Sequence, residues 1–378
     1  MRKSTKKSLY GLRQASRQWY AKPSQSLCSR GYTHSLNDYS LFFKRTAASS
    51  VFIVVYANDI ILTGNDIAEI TALKSFLDAE FKIKDLGHLN YFLGIEGLYH
   101  SSWVLLHQRR FISDLLTEFK CSDVSPVVCP LALSTKLHSE AGDVLPRPDT
   151  YRSFIGKLNF LTHTRLDLFF AVQHLSQFLK TPRVPHMEAA LYVLRYLKGT
   201  PDIGVFLNNS SNLSLHGYCD SDLAACPDTR KYVTGLCVSF GGSLISWKSK
   251  KQQVVSLSSA EAEYKALSKF GAELSWLARL FSDLGMPLSA PIPVICDSMA
   301  AIHIAKNPVF HERTKHIELD GHFIRTKLAD GLISLSHIHT ASQPADVFTK
   351  SLADVYNPLK ARTFHATTLN IWPIYAII

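Results

Sequence analysis

No stretch of this 378-residue chain stays apolar for the roughly 18 residues that a membrane-crossing helix needs. The basic start Met1–Lys7 is followed by no apolar leader core. These absences predict a soluble, intracellular protein with no membrane partner, in the cytoplasm, in a particle there, or in the nucleus. The seven cysteines (Cys28, Cys121, Cys129, Cys219, Cys226, Cys237 and Cys296) contain no Cys-x-x-Cys pair, so neither a zinc site nor a disulfide framework is indicated. Internal repeats and long low-complexity tracts are also missing, which leaves ordinary globular domains. Acidic residues are the scarcer charge, 31 against 41 basic ones. The resulting net charge of +10 points to an anionic partner, because clustered Lys and Arg release counterions from phosphates.

With 46% of its residues apolar, the chain has material for two or three domains. The first zone runs to about residue 105, and its clearest element is Val51–Leu62. There the β-branched run Val51–Tyr56 reaches Ala57-Asn58-Asp59 and resumes as Ile60-Ile61-Leu62, the pattern of a strand, a polar turn and a returning strand. A second zone, about 106–207, reads as helical from the spacing of Phe154, Leu158 and Leu161 and of Ala190, Val193, Leu194 and Leu197. From Ser211 onward strands come first. Leu213, Leu215 and Cys219 share one strand face and His216, Tyr218 and Asp220 the other. Strands at Gly235–Phe240 and Leu244–Trp247 follow, with Gln253–Leu257 continuing the meander. Ser258 and Glu261 fit a capping box at the head of a long helix. A strand ending at Asp297, a helix from Ser298, a helix around His316–Ala329, a strand Leu332–His339 and a final helix carrying Asp346 complete the order βββαβααβα.

Four acidic residues fall where elements end or face inward: Asp220, Glu263, Asp297 and Asp346. Two-metal hydrolysis of a phosphodiester needs such convergence, because two Mg²⁺ ions about 3.5–4 Å apart must be held in oxygen cages. At about 100° per residue, Glu263 lines up with Leu267, Phe270 and Leu274, whereas Glu261 points roughly 160° away. A lone carboxylate on an apolar face is costly unless a cation compensates, the alternative being a Glu263 that borders the stripe and reaches water.

The segments Tyr218-Cys219-Asp220-Ser221-Asp222, Ser258–Tyr264, Cys296-Asp297, Ala345–Lys350 and Arg313–Glu318 resemble the ribonuclease H motifs of copia-type retrotransposons. Upstream, Leu9–Ala15, Arg17–Tyr20, Lys84–Gly87, Tyr91–Glu96, Tyr151–Leu158, Thr164–Asp167 and Leu194–Thr200 are similar to the reverse transcriptases of that family, so the resemblance covers about residues 7–352. It implies an α/β multidomain protein: a truncated reverse-transcriptase palm (1–105), a mostly helical thumb or connection region (106–207), a ribonuclease H-like mixed-sheet domain (208–355) and a degenerate tail (356–378). It further implies cleavage of the RNA strand of RNA:DNA hybrids, with Asp220, Glu263, Asp297 and Asp346 as catalytic ligands of two Mg²⁺ or Mn²⁺ ions. Arg13, Gln14, Arg313 and Lys315 would contact nucleic acid, and other polyprotein products are expected partners. Asp222, two residues on and on the same strand face, rivals Asp220, which motif position favours. His339, seven residues before Asp346, is either a proton shuttle or a solvent-exposed strand-end residue. His311, His316 and His322 have no neighbouring cysteine and do not read as a zinc site.

The family's polymerase hairpin is Tyr, any residue, Asp, Asp, and this chain has Tyr56-Ala57-Asn58-Asp59. A neutral amide where Mg²⁺ prefers charged oxygens predicts the loss of DNA synthesis. The earlier palm strand with the remaining metal-binding aspartate is expected to lie before residue 1. An inactive element remnant that at most binds nucleic acid is the alternative, supported by Leu166 where the family commonly has Pro. A DDE-type integrase is disfavoured, because its glutamate belongs to a late helix.

Overall fold

The computed structural model describes residues 15–57, 59–132, 136–210, 212–223, 228–307, 318–351 and 374–377. Arg13, Gln14, Asn58, Arg313 and Lys315 lie outside the described residues. The chain is a mixed α/β protein that divides into two compact units, one of 1–92, 276–288 and 371–378, the other of 93–275 and 289–370.

The first unit is built on an antiparallel sheet. Its strands Thr33–His34, Leu41–Arg45, Ser50–Tyr56 and Asp59–Gly64 pair in sequence order. The Val51–Leu62 segment is the expected hairpin, with Tyr56 opposite Asp59. Ala57 sits in the turn at φ 49°, the left-handed region that two-residue hairpin loops require. Ile374–Ile377, from the stretch expected to be a degenerate tail, forms a strand between Asp59–Gly64 and Asp85–His88. Helix Ile67–Phe81 starts at Asp66, whose side chain accepts from the Glu69 N–H, and buries Ile70, Leu73 and Leu77 against Phe42, Ile53 and Leu62.

In the second unit, helices Arg109–Glu118, Pro148–Leu161, Phe169–Leu175 and Val184–Gly199 enclose a core of Phe154, Leu158, Leu161, Ala190, Val193, Leu194 and Leu197. The helical spacing of the sequence thus marks the buried faces. Arg165 and Asp167 form an ion pair inside this region: Arg165 Nη2 lies 2.6 Å from Asp167 Oδ2, which also accepts from the Tyr196 hydroxyl at 2.6 Å. Arg165 Nη1 donates to the Thr200 carbonyl, closing the network.

The same unit holds a five-stranded sheet: β1 (Leu215–Asp222), β2 (Val233–Phe240), β3 (Ser243–Lys251), β4 (Ile292–Cys296) and β5 (Ile333–His337). The strand order is β3-β2-β1-β4-β5, antiparallel through β1 and parallel from β1 to β5. Helices α1 (Ser259–Asp283), α2 (Met299–Lys306) and α3 (Glu318–Ala329) occupy the connections. Three expectations need correction. Leu213 precedes β1 and is exposed, because the strand begins only where pairing with β2 starts at Leu215. Gln253–Leu257 is not a strand: the ladder of β2 with β3 ends at Lys251, opposite Val233. Asp346 rides on a five-residue 3₁₀ turn, Pro344–Phe348, instead of a helix.

Two glycines set how closely neighbouring elements approach this sheet. A Cβ on Gly217 would lie 2.5 Å from the Phe270 ring, so its absence lets α1 lie close on β1. A Cβ on Gly235 would lie 2.7–2.8 Å from Thr349, Ala345 and Phe348, so the Asp346 turn can rest on β2 only over a bare backbone.

Candidate metal centre

β1 carries Asp220 near its end, the residue after β4 is Asp297, and the 3₁₀ turn contributes Asp346. Carboxylate oxygens of these three residues lie within 4.8 Å of one another. Glu263, in the second turn of α1, approaches from beside them. It forms a second group with Cys296 Sγ and Asp297, again within 4.8 Å. Asp297 is common to both groups.

Glu263 is buried with Leu267, Phe270 and Leu274, as its helical phase requires. Its Oε1 accepts from the Ser221 N–H at 2.8 Å, and its Oε2 lies 3.7 Å from Cys296 Sγ. Burial, reinforced by Asp220 and Cys296, pushes its carboxyl up to about 11. Glu261 is buried too, despite its phase: it takes the Leu257 N–H and the Lys265 ammonium while its own N–H donates to Ser258 Oγ. The capping interaction therefore reaches one residue beyond the helix cap.

Burial also raises Asp346, to about 7, with Lys350 opposing and Asp220 adding to the rise. Lys350 Nζ donates to Asp346 Oδ2 at 2.8 Å. Asp346 Oδ1 is buried and has no hydrogen-bond partner. Thr349, fully buried, donates its hydroxyl to Asp220 Oδ2, and Gln343 Nε2 donates to the Cys219 carbonyl at 3.0 Å. These contacts fasten the Asp346 turn to β1. Asp222 belongs to neither close group of the described residues, and burial followed by Asp220 raises its pKa.

His339 is exposed, and its Nδ1 accepts from the Ala341 N–H at 3.2 Å, capping the short turn that follows. His337, which the sequence reading passed over, places Nε2 3.2 Å from the Asp297 carbonyl. Thr349 and Lys350 also serve the centre, and their spacing of three and four residues after Asp346, one turn on, is the sequence signal that brings them to it. Tyr56 is exposed at the end of its strand, and Asp59 begins the next one.

The donor set suits a hard divalent cation: several carboxylates on rigid elements, with one buried carboxylate oxygen left unpaired. Fold and site thus define a mixed α/β protein with a carboxylate centre able to hold divalent metal. Residues 3–133 match the family model described as reverse transcriptase (RNA-dependent DNA polymerase). The chain is 41% identical over 350 residues, 93% of its length, to the retrovirus-related Pol polyprotein from transposon RE2 of Arabidopsis thaliana, and spans 24% of that relative. It is 30% identical over 270 residues, 70% of its length, to the putative transposon Ty5-1 protein of Saccharomyces cerevisiae, of which it covers 87%. Among solved structures, ribonuclease H1 from Halobacterium salinarum NRC-1 aligns at 18% identity, covering 36% of this chain and 94% of the other, with a TM-score of 0.27. The chain belongs to the copia-type retrotransposon Pol polyproteins, as its motifs led us to expect. Among the described residues, no helix is long and apolar enough to cross a membrane.

Proposed function

We propose that the chain is a reverse transcriptase/ribonuclease H segment that retains metal-dependent cleavage of the RNA strand of RNA:DNA hybrids and has lost DNA synthesis. The observation that carries the first part is the convergence of Asp220, Asp297 and Asp346, from three separate elements, around an unpaired buried carboxylate oxygen. The five-strand order, with the long helix α1 presenting Glu263, supports a ribonuclease H-like domain. Asp220, Glu263, Asp297 and Asp346 would hold Mg²⁺ or Mn²⁺, which when bound supplies an activated water and stabilises the leaving oxygen. Thr349 holds Asp220 in orientation, and Lys350 balances the charge of Asp346. Recognition through hybrid shape and phosphates suits the net charge of +10.

Loss of DNA synthesis rests on Asn58, an amide where the family hairpin has a carboxylate. The test is incubation with Mg²⁺ and a labelled RNA:DNA hybrid, beside the Asp220→Asn and Asp297→Asn proteins and duplex-RNA controls. Hybrid-specific cutting that both substitutions abolish is the expected result. No cutting by the folded wild type would favour an inactive remnant, and unchanged cutting by Asp297→Asn would overturn the assignment of the centre.

A further inference from the structure

A cavity of about 350 Å³ in the second unit is lined by Asn159, Phe169, Gln173 and Gln177 from the helical region and by Ser249 of β3. None of its lining residues is charged. Gln173 Oε1 and Ser249 Oγ are buried and lack hydrogen-bond partners, and Ser249 as a residue is only 6% exposed. Buried polar atoms left unsatisfied are costly, so two of them on residues that line one cavity mark a place where polar atoms should be accommodated. At the wall, Lys251 Nζ donates to Gln177 Oε1 at 2.7 Å. β3 is an edge strand, and Lys248 and Lys250 are exposed on the side opposite Ser249.

We propose that this cavity takes a single unpaired nucleobase of a nucleic-acid strand whose phosphates pass Lys251 at its wall. Carboxamides and a hydroxyl match the mixed donors and acceptors of a base edge. Phe169 supplies an aromatic wall of the kind on which bases stack. The absence of lining charge suits a neutral base and not a phosphate, for which Lys251 stands at the wall. The volume lies at the lower end of small-molecule sites, about 300–1,000 Å³. The inference rests on the reading that the chain handles nucleic acid, but not on a working metal centre.

The experiment uses the full chain in EDTA, so that no strand is cut. Anisotropy of a labelled short single strand of DNA is compared with that of an abasic sugar–phosphate strand of equal length. Wild type should bind the base-bearing strand roughly tenfold more tightly. Gln173→Leu and Ser249→Ala should each reduce that preference severalfold, whereas Lys251→Gln should weaken both strands alike. Ser249→Ala removes one hydroxyl and keeps the assay interpretable if Gln173→Leu does not fold. Equal binding of the two strands by wild type, no binding at all, or a preference undiminished in a folded variant would overturn the proposal. Cleavage could fail while this preference stands, or the reverse, so the two readings are separable.

Discussion

The buried hydroxyl of Thr349 donates to Asp220 Oδ2 and so ties the 3₁₀ turn that carries Asp346 to β1, which carries its partner carboxylate. Groups that orient metal ligands typically govern affinity by 10- to 100-fold when removed. Thr349→Val should therefore raise the Mg²⁺ concentration needed for half-maximal hybrid cleavage by about tenfold, and Thr349→Ser should restore most of it. An unchanged Mg²⁺ requirement in Thr349→Val would reduce the hydroxyl to a packing role.

Three aspartates with oxygens within 4.8 Å repel one another when no cation is bound. Asp297→Asn removes one of those charges. Its melting midpoint in EDTA should rise by about 2–4 °C, the shift that roughly 1 kcal/mol produces in a domain of this size. The added stabilisation by Mg²⁺ should shrink at the same time. A midpoint that falls in EDTA would mean that Asp297 is held by structural contacts.

Arg165 and Asp167 are both buried, and removing one partner leaves an uncompensated charge. Arg165→Met should cost about 3–5 kcal/mol in urea unfolding followed by tryptophan fluorescence. Adding Asp167→Leu should recover most of the loss. If the double variant were no more stable than the single one, the pair would not be the cause.

His174 lies between the rings of Phe170 and Phe178, and burial, followed by the nearby Lys251, lowers its pKa from 6.5 to about 4. Between those two values the unfolded chain binds more protons than the folded one. Stability should thus decline as pH falls through that window, by at most about 1.4 kcal/mol per pH unit from this group. Urea midpoints measured from pH 7 to pH 4 should fall less steeply for His174→Phe. Equal slopes would show that the ring titrates as it does in the unfolded chain.

The sequence made the family legible through its motifs, and the helical core through the 3.6-residue spacing of Phe154, Leu158 and Leu161. It also set Glu263 among Leu267, Phe270 and Leu274. What it left hidden has specific causes. A short segment opening with Pro344 gives no periodicity by which a 3₁₀ turn differs from an α-helix. Thr349 acquires its partner only when Gly235 lets the turn settle on β2. Glu261 points away from the apolar stripe by its angle, yet the Leu257 N–H and Lys265 hold it inside. Ile374–Ile377 has strand-forming residues, but nothing local names its partners.

That late strand has a consequence for synthesis. Asp59–Gly64 and Asp85–His88 leave the ribosome early, while the segment that separates them in the finished sheet follows only much later in the chain. Until then each lacks the strand that pairs with it in the finished sheet and presents unpaired backbone amides, the state in which edge strands recruit other chains. Completion of this sheet therefore waits for residues 374–377, and a nascent chain stalled before residue 374 would be a candidate for chaperone capture.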